Sequence, residues 1–156
     1  MSVTPEMLKG MDIFEFLKLE ELKDIAALAK IEEFNSGDFV FKEGDKAEKI
    51  YMVLEGRVTV EIEIGPNKKV VIYTETKGNM FGYPSLIKPH NFTTYARAQD
   101  KVKLVTIKAD DLIEKIFKPD CRRGYLTMNK LAEIIAHKLK ETRIQLLSLT
   151  YGCVNL

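Results

Sequence analysis

A chain of 156 residues can bury one sizeable core and is too short for two, and its 46% hydrophobic and 30% charged residues are those of a soluble globular protein. With 24 Lys and Arg against 23 Asp and Glu, the net charge of +1 gives no reason to expect a nucleic-acid or membrane-surface binder. No signal-peptide pattern opens the chain and no apolar run nears the roughly 18 residues that span a bilayer, so a cytoplasmic protein is expected. Cys121 and Cys153 give neither a metal-ligand spacing nor a disulfide framework, so reduced thiols and no metal are expected.

Residues 4–33 read as helical. Thr4 can cap a helix that Pro5 and Glu6 begin, and Gly10 interrupts it. Ile13, Phe14, Phe16, Leu17, Leu22, Ile25, Ala26, Leu28 and Ala29 then recur at helical spacing. From Glu33 the pattern becomes short β runs broken by turns. The runs are Phe39-Val40-Phe41, Lys49 to Leu54, Arg57 to Ile64 in near-perfect alternation, Lys69 to Thr74, Tyr95 to Ala98, and Val102 to Ile107. Gly37, Gly44, Gly56 and the Gly65-Pro66-Asn67 hairpin mark the corners. Many short strands with glycine turns between them argue for a closed or double-layered sheet, a jelly-roll barrel of cupin-like shape, because closure removes exposed edges.

The helical period returns after Lys108. A short helix from Asp110-Asp111 runs to Phe117 and is ended by Pro119. A long helix follows from about Arg122 to Leu149, with an apolar stripe of Met128, Leu131, Ile135, Leu139, Thr142, Leu146 and Leu149 in steps of three and four. The stripe predicts a homodimer seam, with packing on the chain's own barrel as the other reading. Residues 1–34 carry eight acidic and four basic side chains, and residues 120–148 carry three and six. This asymmetry reads as two solvated helical faces, with docking or dimer formation as the alternative. The whole reads as a single domain over residues 1–156, with the barrel at about 33–108 and C-terminal helices at about 110–149.

Four segments in this order and spacing carry a family resemblance. They are Ser36-Gly37-Asp38 with Phe41-Lys42-Glu43-Gly44-Asp45, Tyr51 to Val58 around Gly56, Gly78-Asn79-Met80-Phe81-Gly82, and the run from Met80 to Ala98. Together they resemble the cyclic nucleotide-binding domain of catabolite-activator-like regulators. The resemblance implies a mainly β barrel with N-terminal helices and a long C-terminal helix. It further implies that Gly82 and the turn opened by Pro84 form a phosphate-binding cassette, since a helical start offers unpaired N–H groups to an anion. The family's cassette usually has Glu after the glycine for the ribose hydroxyl and Arg about ten positions on for the cyclic phosphate. Here those positions hold Tyr83 and Phe92.

The expected site is therefore a degenerate cassette of Phe81, Gly82, Tyr83, Pro84, Ser85, Phe92, Thr93 and Thr94. Loss of one buried charge–phosphate contact typically costs about 2–5 kcal/mol, so losing both anchors argues against cyclic AMP and cyclic GMP as ligands. The sequence carries no nucleophile elbow, metal triad or carboxylate pair with a partner His, so no enzyme and no cofactor are expected. Nor does a helix-turn-helix pattern follow the long helix, so direct DNA binding is not expected.

Three functional readings stand. The first is a signalling sensor that binds a non-standard small ligand in the cassette and answers through the long helix. The second is a ligand-free structural or protein-interaction module that dimerises through Met128, Leu131, Ile135, Leu139 and Leu146. The third is true cyclic-nucleotide binding through a rerouted loop that brings Lys88, His90 or Arg97 to the phosphate. An open cavity against Tyr83 and Phe92 would favour sensing, and a collapsed one the module.

Overall fold

A computed structural model describes residues 1–152; Cys153 lies outside the described residues. Helix α1 (Pro5–Lys9) is capped by Thr4, whose hydroxyl accepts from the Met7 amide at 3.2 Å. Two 3-10 turns, Asp12–Phe14 and Leu19–Leu22, lead into α2 (Lys23–Leu28). The expected helical run to residue 33 stops earlier, because Lys30–Phe34 forms strand β1. Its pairing with β8 (Val102–Lys108), Lys30 opposite Thr106 through Phe34 opposite Val102, takes these residues out of the expected helical run.

The remaining strands are β2 (Phe39–Phe41), β3 (Lys49–Glu55), β4 (Val58–Gly65), β5 (Lys68–Glu75), β6 (Met80–Phe81) and β7 (Tyr95–Ala98). They make two antiparallel four-stranded sheets, ordered β1-β8-β3-β6 and β2-β7-β4-β5. This is the jelly-roll barrel with flanking helices that the turn spacing predicts.

The continuous apolar run in β3 has a structural cause: its sheet is covered on both faces. Ile50 and Met52 join Leu8, Phe14, Leu22, Leu112 and Leu131 in a core under the helices. Tyr51 and Val53 point the other way, into the barrel, with Phe41, Val58, Phe81, Phe92, Ala96 and Leu104. The corner between β3 and β4 needs Gly56 at φ +86°, where a Cβ would come within 2.7 Å of the Lys101 carbonyl.

After β8, α3 (Ala109–Leu112) passes into a π turn at Ile113–Phe117, and α4 (Cys121–Gly152) follows. Gly124 of α4 lies so close to Phe117 that a Cβ there would sit 3.0 Å from the Phe117 Cβ. The charge asymmetry of the termini is not a pair of solvated faces. Arg122 pairs with Glu21, Arg123 with Asp24 and Asp120, and Lys130 with Glu15, so the basic start of α4 docks onto the acidic N-terminal segment. The Arg123 side chain is only 12% exposed in this contact, which makes it a fixed strut rather than a loose surface pair.

The stripe on α4 divides. Leu131 is 2% exposed and belongs to the chain's own core, with Met128, Ile134 and Ile135 packed against it. Leu139, Leu146 and Leu149 are 49%, 63% and 70% exposed. Of the residues expected on a dimer seam, Met128, Leu131 and Ile135 are therefore used within the chain, because the N-terminal turn Asp12–Phe14 and the π turn Ile113–Phe117 cover that part of the helix. No helix among the described residues is long and apolar enough to cross a membrane.

Candidate functional site

The cassette is built from the end of β6. Gly82 takes φ +80°, and a Cβ there would meet the Tyr51 ring at 2.7 Å, so the chain reverses on glycine. Tyr83–Leu86 then forms one 3-10 turn with Pro84 near its start. The loop that follows is tied to the corner between β2 and β3. The Ala47 amide donates to the His90 carbonyl at 2.7 Å, Gly44 to Phe92 at 2.8 Å, and the Phe92 amide donates back to Asp45 at 2.9 Å. These bonds fix where residue 92 enters the barrel.

Phe92 enters fully. It is 4% exposed and stacks on Phe41 at 3.6 Å between ring centroids, with 5° between the planes. Phe41 also meets Tyr51 and Phe81, at 5.7 and 6.1 Å, so four aromatic rings fill this end of the barrel. What remains is a cavity of about 50 Å³, room for a water or two and far below the ~300 Å³ at which small-molecule pockets begin.

Seven of the eight expected cassette residues line this cavity: Phe81, Gly82, Tyr83, Pro84, Phe92, Thr93 and Thr94. Ser85 does not. It is 3% exposed and its hydroxyl donates to the Gly82 carbonyl at 2.9 Å, so it braces the turn instead of facing a ligand. The residues of the rerouted-loop reading lie elsewhere. Arg97 sits on the outer face of β7, its guanidinium 4.6 Å from the Phe39 ring and its Nε 3.2 Å from Glu61. His90 places Nδ1 3.1 Å from the Ser85 carbonyl, and Lys88 is exposed.

Sequence reasoning missed the cavity's charged residues. Among the described lining residues, one cation and one carboxylate are present, Lys138 of α4 and Glu75 of β5, and they pair with each other. Glu75 keeps only 4% of its side chain exposed and Lys138 17%. The second carboxylate oxygen of Glu75 accepts from Asn79 Nδ2 at 3.1 Å, and Lys138 Nζ lies 4.5 Å above the Tyr73 ring. One helical turn on, Thr142 Oγ1 donates to the Lys138 carbonyl at 2.8 Å, so Tyr73 is the donor in its 2.7 Å bond to Thr142. Glu75 is the one buried residue of β5, whose others are exposed or half-buried, and that signal could have been read only with the helix in place.

Behind this pair runs a groove of about 930 Å³ between β5 and α4, floored by Ile72, Met80, Ile134 and Ile144. Asp12 stands in it, accepting from the Met80 amide at 3.0 Å while its own amide donates to the Gly78 carbonyl at 2.8 Å. Burial, aided by the nearby Glu75 carboxylate, pushes the Asp12 carboxyl up to about 6, against the hydrogen bonds from Ile13 and Met80 and the charge of Lys130. No group of three or more His, Cys, Asp or Glu that could hold a metal occurs among the described residues.

Known proteins share this architecture. A cyclic nucleotide-binding protein from Geobacter metallireducens is 31% identical, with a TM-score of 0.76, covering 88% of this chain and 98% of its own. A cyclic nucleotide-binding domain from Methylobacillus flagellatus superposes with a TM-score of 0.83 over 94% of this chain and 86% of its own at 15% identity, which speaks to the fold alone. Among curated relatives, the CRP-like cAMP-activated global transcriptional regulator of Mycobacterium tuberculosis is 22% identical over 140 residues, 83% of this chain and 62% of that protein. A potassium channel protein of Rhodopseudomonas palustris is 26% identical over 106 residues, 68% of this chain and 25% of that protein. The chain thus spans between a quarter and about three fifths of these two relatives. The sequence profile of the cyclic nucleotide-binding domain matches residues 31–118, from the first strand of the barrel through the π turn that precedes α4. With that match over more than half its length, the chain belongs to the cyclic nucleotide-binding domain family.

Proposed function

We propose that this protein is a non-enzymatic signalling domain whose cassette takes a small, non-standard ligand in place of a cyclic nucleotide and answers through α4. The burial of Phe92 against Phe41 leaves about 50 Å³, too little for a nucleotide, and the observation that carries the sensor reading is the link from the cavity wall to α4. Family membership and the cAMP-activated relative support a regulatory role. The route of response is the β5–α4 contact: Glu75–Lys138 and Tyr73–Thr142 join the cavity wall to the helix, so a ligand favouring one helix position shifts its population. The exposed Leu139, Leu146 and Leu149 support a homodimer through the distal part of α4, since such a row is costly to leave in water.

Isothermal titration with cyclic AMP and cyclic GMP at millimolar ligand tests the reading. No heat and no thermal shift are expected; micromolar binding of either overturns it. The aromatic stack favours a second reading, a ligand-free interaction module whose barrel is filled by its own side chains. Phe92→Ala separates the two. A sensor answers a polar, uncharged probe such as a polyol in the parent and binds it more tightly in the variant. A module answers no such probe in the parent, and in the variant it loses stability and takes up only apolar rings.

A further inference from the structure

The charge arrangement of the cavity bears on which ligands it admits. Lys138 is its one cation among the described lining residues, and the buried Glu75 already holds that charge. The pair leaves the cavity electrically neutral. An anion that drew Lys138 away would strand Glu75 with Asn79 as its remaining partner, and an unpaired buried carboxylate is costly. An anion that left the pair intact would meet a cation already neutralised. An uncharged ligand meets neither obstacle and can use the hydroxyls of Thr93 and Thr94.

Building on the reading of the cassette as a ligand site, we infer that Glu75 is its specificity-determining residue. It masks Lys138, restricts the cavity to uncharged ligands, and covers a latent anion site. Lys138 lines both this cavity and the open groove of about 930 Å³ between β5 and α4, so once the mask is removed an oxyanion can reach it from the groove.

Glu75→Gln keeps the shape of the side chain and its bond from Asn79 while releasing Lys138. Titration of the full chain with inorganic pyrophosphate is the test, with phosphate as the smaller probe. Glu75→Gln is expected to bind pyrophosphate at least about tenfold more tightly than the parent protein, as one uncovered cation would allow. The gain should weaken as salt is raised, and Glu75→Gln combined with Lys138→Gln should abolish it. A folded Glu75→Gln protein that binds no more tightly than the parent overturns the inference, and so does a gain that survives loss of Lys138. Should Glu75→Gln fail to fold, Glu75→Met fills a similar volume without charge and is held to the same outcomes. Micromolar binding of cyclic AMP, an anion, by the parent protein would overturn the functional reading and the restriction to uncharged ligands together, whereas no cyclic AMP binding with unchanged pyrophosphate affinity in Glu75→Gln would overturn the masking alone.

Discussion

The two halves of α4 share one apolar stripe and meet opposite fates. From Gly124 to Leu131 the helix is part of the core: Gly124, Thr127 and Leu131 are buried, and Arg123 and Lys130 are pinned to the N-terminal acidic residues. From Leu139 onward every described residue is exposed, and polar contacts at Lys138 and Thr142 tie the helix to β5. Periodicity states that a helix has an apolar side; it does not state whose surface that side meets. The same spacing serves to close one fold in the first half and to offer a free surface in the second.

The largest effect that would test this division is Leu131→Ala, expected to cost about 2–5 kcal/mol of unfolding free energy in urea because a fully enclosed side chain leaves a cavity. Leu146→Ala should change the stability of the monomer by no more than about 0.5 kcal/mol, since that side chain is 63% exposed. Equal costs for the two would erase the distinction. Next in size, Leu139→Glu with Leu146→Glu should turn a dimer into a monomer by light scattering while the barrel melts as before. A parent protein that is monomeric at high concentration would remove the dimer from the functional reading.

A smaller effect belongs to the groove between β5 and α4. The Asp12 carboxyl is raised from 3.8 to about 6 on folding, so the folded state holds its proton more tightly than the unfolded one. This contribution to stability is fully present below about pH 4 and is lost as pH rises through about 6. Asp12→Asn, whose amide oxygen can still accept from Met80, should be more stable than the parent at pH 7.5 and should lack that decline. Melting curves from pH 4 to 8 check both points, and an unchanged slope in the variant would discharge Asp12 from the role. A modest effect is expected of Tyr73→Phe, about 0.5–1.5 kcal/mol for one lost hydrogen bond. Its signature is faster amide exchange confined to α4 beyond Lys138; uniform exchange throughout the chain would mean that the bond does not hold the distal half.

The sequence by itself determined the barrel, because turn glycines and alternation are local requirements of backbone geometry and of a sheet with one wet face. Gly56 and Gly82 had to be glycine where the chain turns at positive φ against a neighbour, and those positions are readable in one dimension. The absence of charge at Tyr83 and Phe92 was equally legible, being a property of the residues themselves. Three things waited for the tertiary structure. Strand β1 begins at Lys30 because its backbone pairs with β8, a strand far along the chain that the local pattern does not reveal. Phe92 fills the pocket because backbone bonds to Asp45 and Gly44, nearly fifty residues away, set its direction. The Glu75–Lys138 pair joins residues sixty-three apart, and neither is remarkable in the sequence. Local geometry is written in neighbouring residues, whereas burial and charge pairing depend on which distant surfaces meet.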